Sequence, residues 1–206
     1  MNKKIAKIIK IFEKEYSNAA CTLEYEKPYE LLIATQLAAQ CTDARVNIVM
    51  AELVKKYNSI KAYANADINE LMQDIHSTGF YRNKAKNIIG TAKMLISDFG
   101  GSVPDTMEDL LKLPGVGRKT ANLILGDVYG KPAVVVDTHA GRLSRRIGLT
   151  KNTDPYKVEL DLKKIIPDEY QSLFSHQLVF HGRKYCKAQR PNCTECPINE
   201  LCEKNL

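Results

Sequence analysis

What the chain lacks narrows its class before any motif is read. It has no run of about 18 apolar residues, so no segment is long and apolar enough to cross a membrane. The N-terminal MNKKIAKIIKIFEKEY breaks its apolar residues with Lys7, Lys10, Glu13 and Lys14, whereas a secretory signal needs an unbroken apolar stretch. A cytoplasmic protein is expected. Strand-type patterning is almost missing: only Ala133-Val-Val-Val136 resembles a strand, and it is too short to make a sheet. Neither internal repeats nor low-complexity tracts occur.

What remains is helical. Apolar residues recur at three- and four-residue steps in 28–40, 43–57, 67–76, 82–99, 107–112, 118–129, 138–148, 155–166 and 169–184, and Ile5, Ile8, Ile9 and Phe12 share one face of an N-terminal helix. Asp67 before Glu70 and Thr106 before Asp109 read as N-terminal caps. Asp154-Pro155 reads as a cap with a first-turn proline, and Gly100-Gly101 and Gly130 as helix ends. An all-α chain is expected. Its 206 residues, 44% hydrophobic, suffice for one large domain or two small ones.

The formal net charge of +6 is concentrated. Residues 112–146 hold seven basic side chains (Lys112, Arg118, Lys119, Lys131, Arg142, Arg145, Arg146) against Asp127 and Asp137. Such a cluster points to a polyanion-binding face.

Within it, Leu113 to Asn122 reads LPGVGRKTAN. Leu113-Pro114 closes one short helix, Gly115-Val116-Gly117 turns, and Arg118 opens the next, a helix-hairpin-helix arrangement. The two glycines permit positive φ and leave the backbone uncovered, so their N–H groups and the first amides of the following helix suit one phosphate. Backbone amides see phosphate and read no base sequence. Lys119 stands in the first helical turn, where the helix dipole disfavours a cation. Further on, Asp137 in Val136-Asp-Thr-His139 is a candidate N-cap.

Two cysteines, Cys21 and Cys41, are scattered, while four crowd the end as Cys186-x6-Cys193-x2-Cys196-x5-Cys202, after His181-Gly-Arg183. In a reducing compartment such crowding points to metal rather than disulfides. Four thiolates suit tetrahedral zinc or an iron–sulfur cluster, although zinc sites usually present two C-x2-C hooks and this tail has one.

LPGVGRKTAN, VDTH and the cysteine spacing together resemble the helix-hairpin-helix DNA glycosylases, from roughly Pro28 to Cys202. The resemblance implies two helical lobes with DNA passing between them: a bundle of 21–131 containing the hairpin, and a lobe of 1–20 plus 132–206 holding a [4Fe-4S] cluster on Cys186, Cys193, Cys196 and Cys202. It implies a bifunctional DNA glycosylase and abasic-site (AP) lyase of base excision repair, removing oxidised pyrimidines. Such an enzyme would act as a monomer on double-stranded DNA with a damaged base or abasic site, at the nucleoid if the source is bacterial.

Lys119 matches the lysine of the lyase members, which attacks C1′ and holds the sugar as a Schiff base. An amine attacks only when unprotonated, a state favoured by a helix N-terminus and partial burial. Asp137 matches the second catalytic residue, able to shuttle protons. Gln40 matches the glutamine that fills the gap opposite an estranged base, and Phe80 an apolar wedge. Phosphate contacts fall to Gly115, Val116, Gly117 and Arg118, to Arg142 and Arg146 with Arg145 on one helical face, and to Lys184 and Lys187 beside the cysteines. His139 is expected to orient or to face a phosphate. Ala38, Cys41 and Leu111 depart from residues common in the family at those positions.

An adenine-mismatch glycosylase is the second reading, disfavoured by Lys119 and by the lack of a long domain after Leu206. A third is a non-catalytic, redox-sensing DNA-binding protein.

Overall fold

The computed structural model describes residues 3–205. Among these the chain forms eleven α-helices and no strand. They are α1 (Lys3–Glu15), α2 (Pro28–Leu37), α3 (Asp43–Lys56), α4 (Ile60–Ala64), α5 (Ile68–Asp74), α6 (Tyr81–Phe99), α7 (Met107–Lys112), α8 (Arg118–Asp127), α9 (Thr138–Ile147), α10 (Pro155–Ile165) and α11 (Gln171–Lys184).

Side-chain caps explain most of the starts. Thr42, Ser59, Asp67, Thr106, Asp137 and Asp154 each accept a backbone N–H of the turn they precede, satisfying donors that the helix itself leaves unpaired. The four caps expected from sequence, Asp67, Thr106, Asp137 and Asp154, are all used in this way. Helix α4 was not expected, because five residues are too few to show a period. It is held by the Ser59 cap and by Tyr63, which is fully buried.

The chain divides into two compact units, one of residues 22–124 and one of the residues up to Cys21 together with those from Leu125 onward. In the first, α6 packs against α2, α4 and α5, and α2 against α3. Leu31, Leu32, Leu37, Val46, Leu53, Tyr63, Leu71, Ile88 and Leu95 fill its core. In the second, α1 packs on α11, and α9 on α10 and α11. Its core joins Ile5, Ile8 and Phe12 to Leu143, Val158, Leu162, Phe174 and Leu178. The Phe12 and Phe174 rings stack at 5.5 Å, and truncating Phe12 to alanine would cost about 3–5 kcal/mol. Gly182 lets α11 pass close to α9: a Cβ there would meet His139 Nδ1 at 2.4 Å.

Candidate functional site

In the first unit, the hairpin follows directly from its sequence. Helix α7 ends at Lys112 with Leu113 as its cap, and α8 begins at Arg118. Gly115 adopts φ 76, and a Cβ there would lie 2.6 Å from Asn87 Nδ2, so conformation and space both require glycine. Gly117 differs from the expectation: it has no positive φ, and nothing lies within 4 Å of the place its Cβ would occupy. The protein itself gives no reason for glycine there. Val116 also differs, because its N–H is already bonded to Leu113 O at 3.1 Å.

The start of the hairpin is pinned from beneath by buried polar groups. Gln36 of α2 donates from Nε2 to Thr91 Oγ1 (2.9 Å) and to Pro114 O (3.1 Å), while the Thr91 hydroxyl of α6 also donates to Pro114 O at 2.9 Å. Gln36 and Thr91 are both buried, and sequence reading missed them. Their sole signal was a polar residue at a core-facing helical position.

Lys119 is exposed, where partial burial was expected. Its ammonium makes no hydrogen bond or ion pair among the described residues. Gln40 and Phe80 are exposed as well, and both take left-handed backbone conformations, at φ 55 and φ 49. For a bulky residue such as phenylalanine this is a genuine outlier.

In the second unit, Asp137 is the N-cap of α9: its Oδ1 accepts the Ala140 N–H at 2.7 Å. Its other carboxylate oxygen has no hydrogen-bond donor among the described residues.

The basic residues of α9 have partners that their spacing did not show. Arg146 donates to Lys187 O (2.7 Å), Ala188 O (2.9 Å) and Cys186 Sγ (3.5 Å). Arg142 donates to Cys186 O at 2.9 Å and lies 3.2 Å from His139 Nδ1. Both guanidiniums hold the cysteine loop rather than standing out as a bare cationic face, because that loop lies across the helix surface that carries them. His139 correspondingly sits against Arg142 and Gly182. Lys184 pairs with Glu15 at 2.7 Å, while the exposed Lys187 side chain has no partner among the described residues.

The cysteine tail folds over the C-terminal end of α9. Cys202 Sγ and the Asn205 N–H reach Arg146 O at 3.2 Å, Asn205 Nδ2 reaches Arg145 O, and Lys4 Nζ reaches Ile147 O at 2.7 Å. Carbonyls that a helix end leaves unpaired are thereby satisfied.

Cys186, Cys193, Cys196 and Cys202 line one pocket, together with His181, Tyr185 and Arg146. No three His, Cys, Asp or Glu side chains among the described residues are gathered to hold a single metal ion. Four thiols lining one pocket can supply one thiolate to each iron of a four-iron cluster. Burial pushes the Cys196 and Cys202 thiols up, and their neighbouring cysteines push the same way, an opposition to ionisation that bound iron reverses.

His181 lies beneath, 1% exposed, with Nδ1 2.7 Å from the Tyr16 hydroxyl and Nε2 3.4 Å from Cys196 Sγ. Burial lowers its pKa to about 4.

A phosphate-sized hairpin beside an unengaged lysine, with a four-thiol cradle on the same chain, is the equipment of a DNA repair protein. The chain belongs to the HhH-GPD superfamily of base excision DNA repair proteins, whose family model matches residues 33–168. The iron–sulfur binding domain of endonuclease III matches residues 186–202. The chain is 50% identical to the endonuclease III of Synechocystis over 95% of its length and 90% of the relative's, and 47% identical to that of Bacillus subtilis over 92% and 87%. Among solved structures, a non-covalent endonuclease III–DNA complex and a trapped endonuclease III–DNA covalent intermediate each match with TM-score 0.92 and 45% identity, covering 99% of this chain and 97% of theirs. The chain is accordingly a bifunctional DNA glycosylase and AP lyase of base excision repair, and its four-cysteine loop holds a [4Fe-4S] cluster.

Proposed function

We propose that the chain excises oxidised pyrimidines from double-stranded DNA as a monomer, and cuts the resulting abasic site, with Lys119 as nucleophile and Asp137 as proton carrier. In a bacterial cell its place is the cytoplasm, at the nucleoid. One observation carries the reading. Lys119 stands exposed in the first turn of α8, two residues beyond the open Gly117, with its ammonium engaged by no group among the described residues.

Nζ, once unprotonated, attacks C1′ of the damaged nucleotide. The bond from C1′ to the base breaks and the base leaves with a proton. Opening of the sugar gives a Schiff base between Nζ and C1′, which acidifies the C2′ hydrogen. Removal of that proton expels the 3′ phosphate by β-elimination, and water then hydrolyses the Schiff base to free the lysine. The unbonded oxygen of Asp137 suits it to carry protons while its other oxygen caps α9.

Gly115, Gly117 and the first turn of α8 grip one phosphate, Lys187 adds another contact, and Gln40 and Phe80 fill the space left by the extruded nucleotide. The cluster, when bound, supplies the cross-link that folds its loop.

Borohydride trapping tests this directly. Wild-type protein should be captured on a thymine glycol duplex as a covalent adduct, and Lys119→Gln should give none. An adduct formed by Lys119→Gln would place the nucleophile elsewhere.

A further inference from the structure

Lys84 belongs to the first turn of α6, where the helix dipole disfavours a cation, and it is only 5% exposed. Burial lowers its pKa, the nearby Cys41 pulling the other way. A lysine in such surroundings is costly unless its charge is matched. Here Nζ donates to two backbone carbonyls, Leu37 O and Thr78 O, each at 2.8 Å. Charge-assisted hydrogen bonds of this kind are short and strong. Leu37 is the last residue of α2, whose carbonyl the helix leaves unpaired. Thr78 ends the 3-10 turn His76–Thr78 and is itself buried.

One nitrogen thus ties together two segments 41 residues apart, and each leads directly into a strained residue. Three residues after Leu37 comes Gln40, at φ 55; two residues after Thr78 comes Phe80, at φ 49. Both side chains are exposed, Phe80 by 62%. Phe80 is also the N-terminal cap of α6 and offers no side-chain hydrogen bond to it, so nothing local rewards its conformation. Backbone strain of this sort persists only where the surroundings over-determine it, and it gathers at functional positions.

We infer that Lys84 is a positioning residue that locks the Gln40 and Phe80 turns into one rigid element, so that the two side chains enter a duplex together. The inference rests on the proposed role of Gln40 and Phe80 as inserted residues. Its consequence is selective. Extruding a base from an intact stack needs both side chains at a fixed separation, whereas a nucleotide that has already lost its base needs far less.

The test uses full-length, cluster-loaded protein and a thymine glycol duplex with 2-aminopurine opposite the lesion, followed by stopped-flow fluorescence. Lys84→Met keeps the apolar stem and removes the donors. It should slow extrusion, and with it kcat for base release, by about tenfold or more, with KM little changed. Cleavage of a preformed abasic duplex should fall by less than about threefold and trapping there should persist. The Gln40→Ala/Phe80→Ala double variant should show the same selective loss, and adding Lys84→Met to it should cost little more.

Wild-type extrusion by Lys84→Met, beside slow extrusion by the double variant, overturns the inference. Wild-type extrusion by the double variant overturns the inserted-residue reading instead. Should Lys84→Met not fold, Lys84→Gln is examined by hydrogen exchange with the duplex absent. Protection should fall in 38–42 and 78–81 and hold elsewhere in residues 22–124. Loss throughout that unit, or in neither segment, overturns the inference.

Discussion

Lys84 and Lys119 both stand in first helical turns, and their surroundings separate their tasks. Lys84 is buried and bonded to two carbonyls; Lys119 is exposed and bonded to none of the described residues. The sequence marks Lys119 through its motif, but it cannot mark Lys84, because a lysine between apolar helical positions reads as a surface residue until its environment is known. The same limit applies to Gln36 and Thr91. Asp137 was legible as a cap from its neighbours alone, and its two oxygens allow cap and proton transfer to be separated. Asparagine caps as well as aspartate, so Asp137→Asn should melt within about 0.5 kcal/mol of wild type, whereas Asp137→Ala should lose about 1 kcal/mol. Both should slow β-elimination at an abasic site by about 100-fold, measured by single-turnover cleavage. If only the alanine variant is slow, the carboxylate serves the helix and not the chemistry.

At the scale of elements, the hairpin and α9 differ in how much their sequences disclosed. The glycine pair announced a turn, yet only Gly115 is demanded by the fold. Gly115→Ala should cost about 1–3 kcal/mol, because it combines a left-handed backbone with contact on Asn87. Gly117→Ala should leave the melting midpoint within about 0.5 kcal/mol but weaken duplex binding, since its cost falls on whatever approaches from outside. Equal destabilisation by both would mean that Gly117 is also structural.

Helix α9 shows the opposite. Its arginine spacing puts the three on one face, but spacing is silent about what lies opposite, and Arg142 and Arg146 meet the carbonyls of the cysteine loop. Arg146→Met is therefore expected to hasten loss of absorbance near 400 nm under a chelator, while the salt dependence of duplex binding stays close to that of wild type. A clear fall in that dependence would return Arg146 to the phosphate backbone.

Across the whole molecule, contacts between distant parts of the chain decide what local patterns cannot. The helix pattern apart from α4, the caps Asp67, Thr106, Asp137 and Asp154, and the cysteine spacing are local, and these were legible. The fastening of the first helix to the tail is not, because Lys4, Glu15 and Tyr16 look like ordinary residues of an amphipathic segment. Lys4 bonds Ile147 O and Glu203, Glu15 bonds Lys184 and Tyr185, and Tyr16 meets His181, which in turn touches Cys196. Ile198 is buried in the same core as Ile5, Ile8 and Phe12. The cysteine tail thus supports a helix more than 160 residues earlier. Oxidative removal of the cluster should raise amide exchange not only in 185–205 but also in α1 and the last turn of α9, and should lower the melting midpoint. Exchange confined to 185–205 would mean that α1 is held by its apolar face alone, with the bonds from Lys4 and Tyr16 contributing nothing measurable.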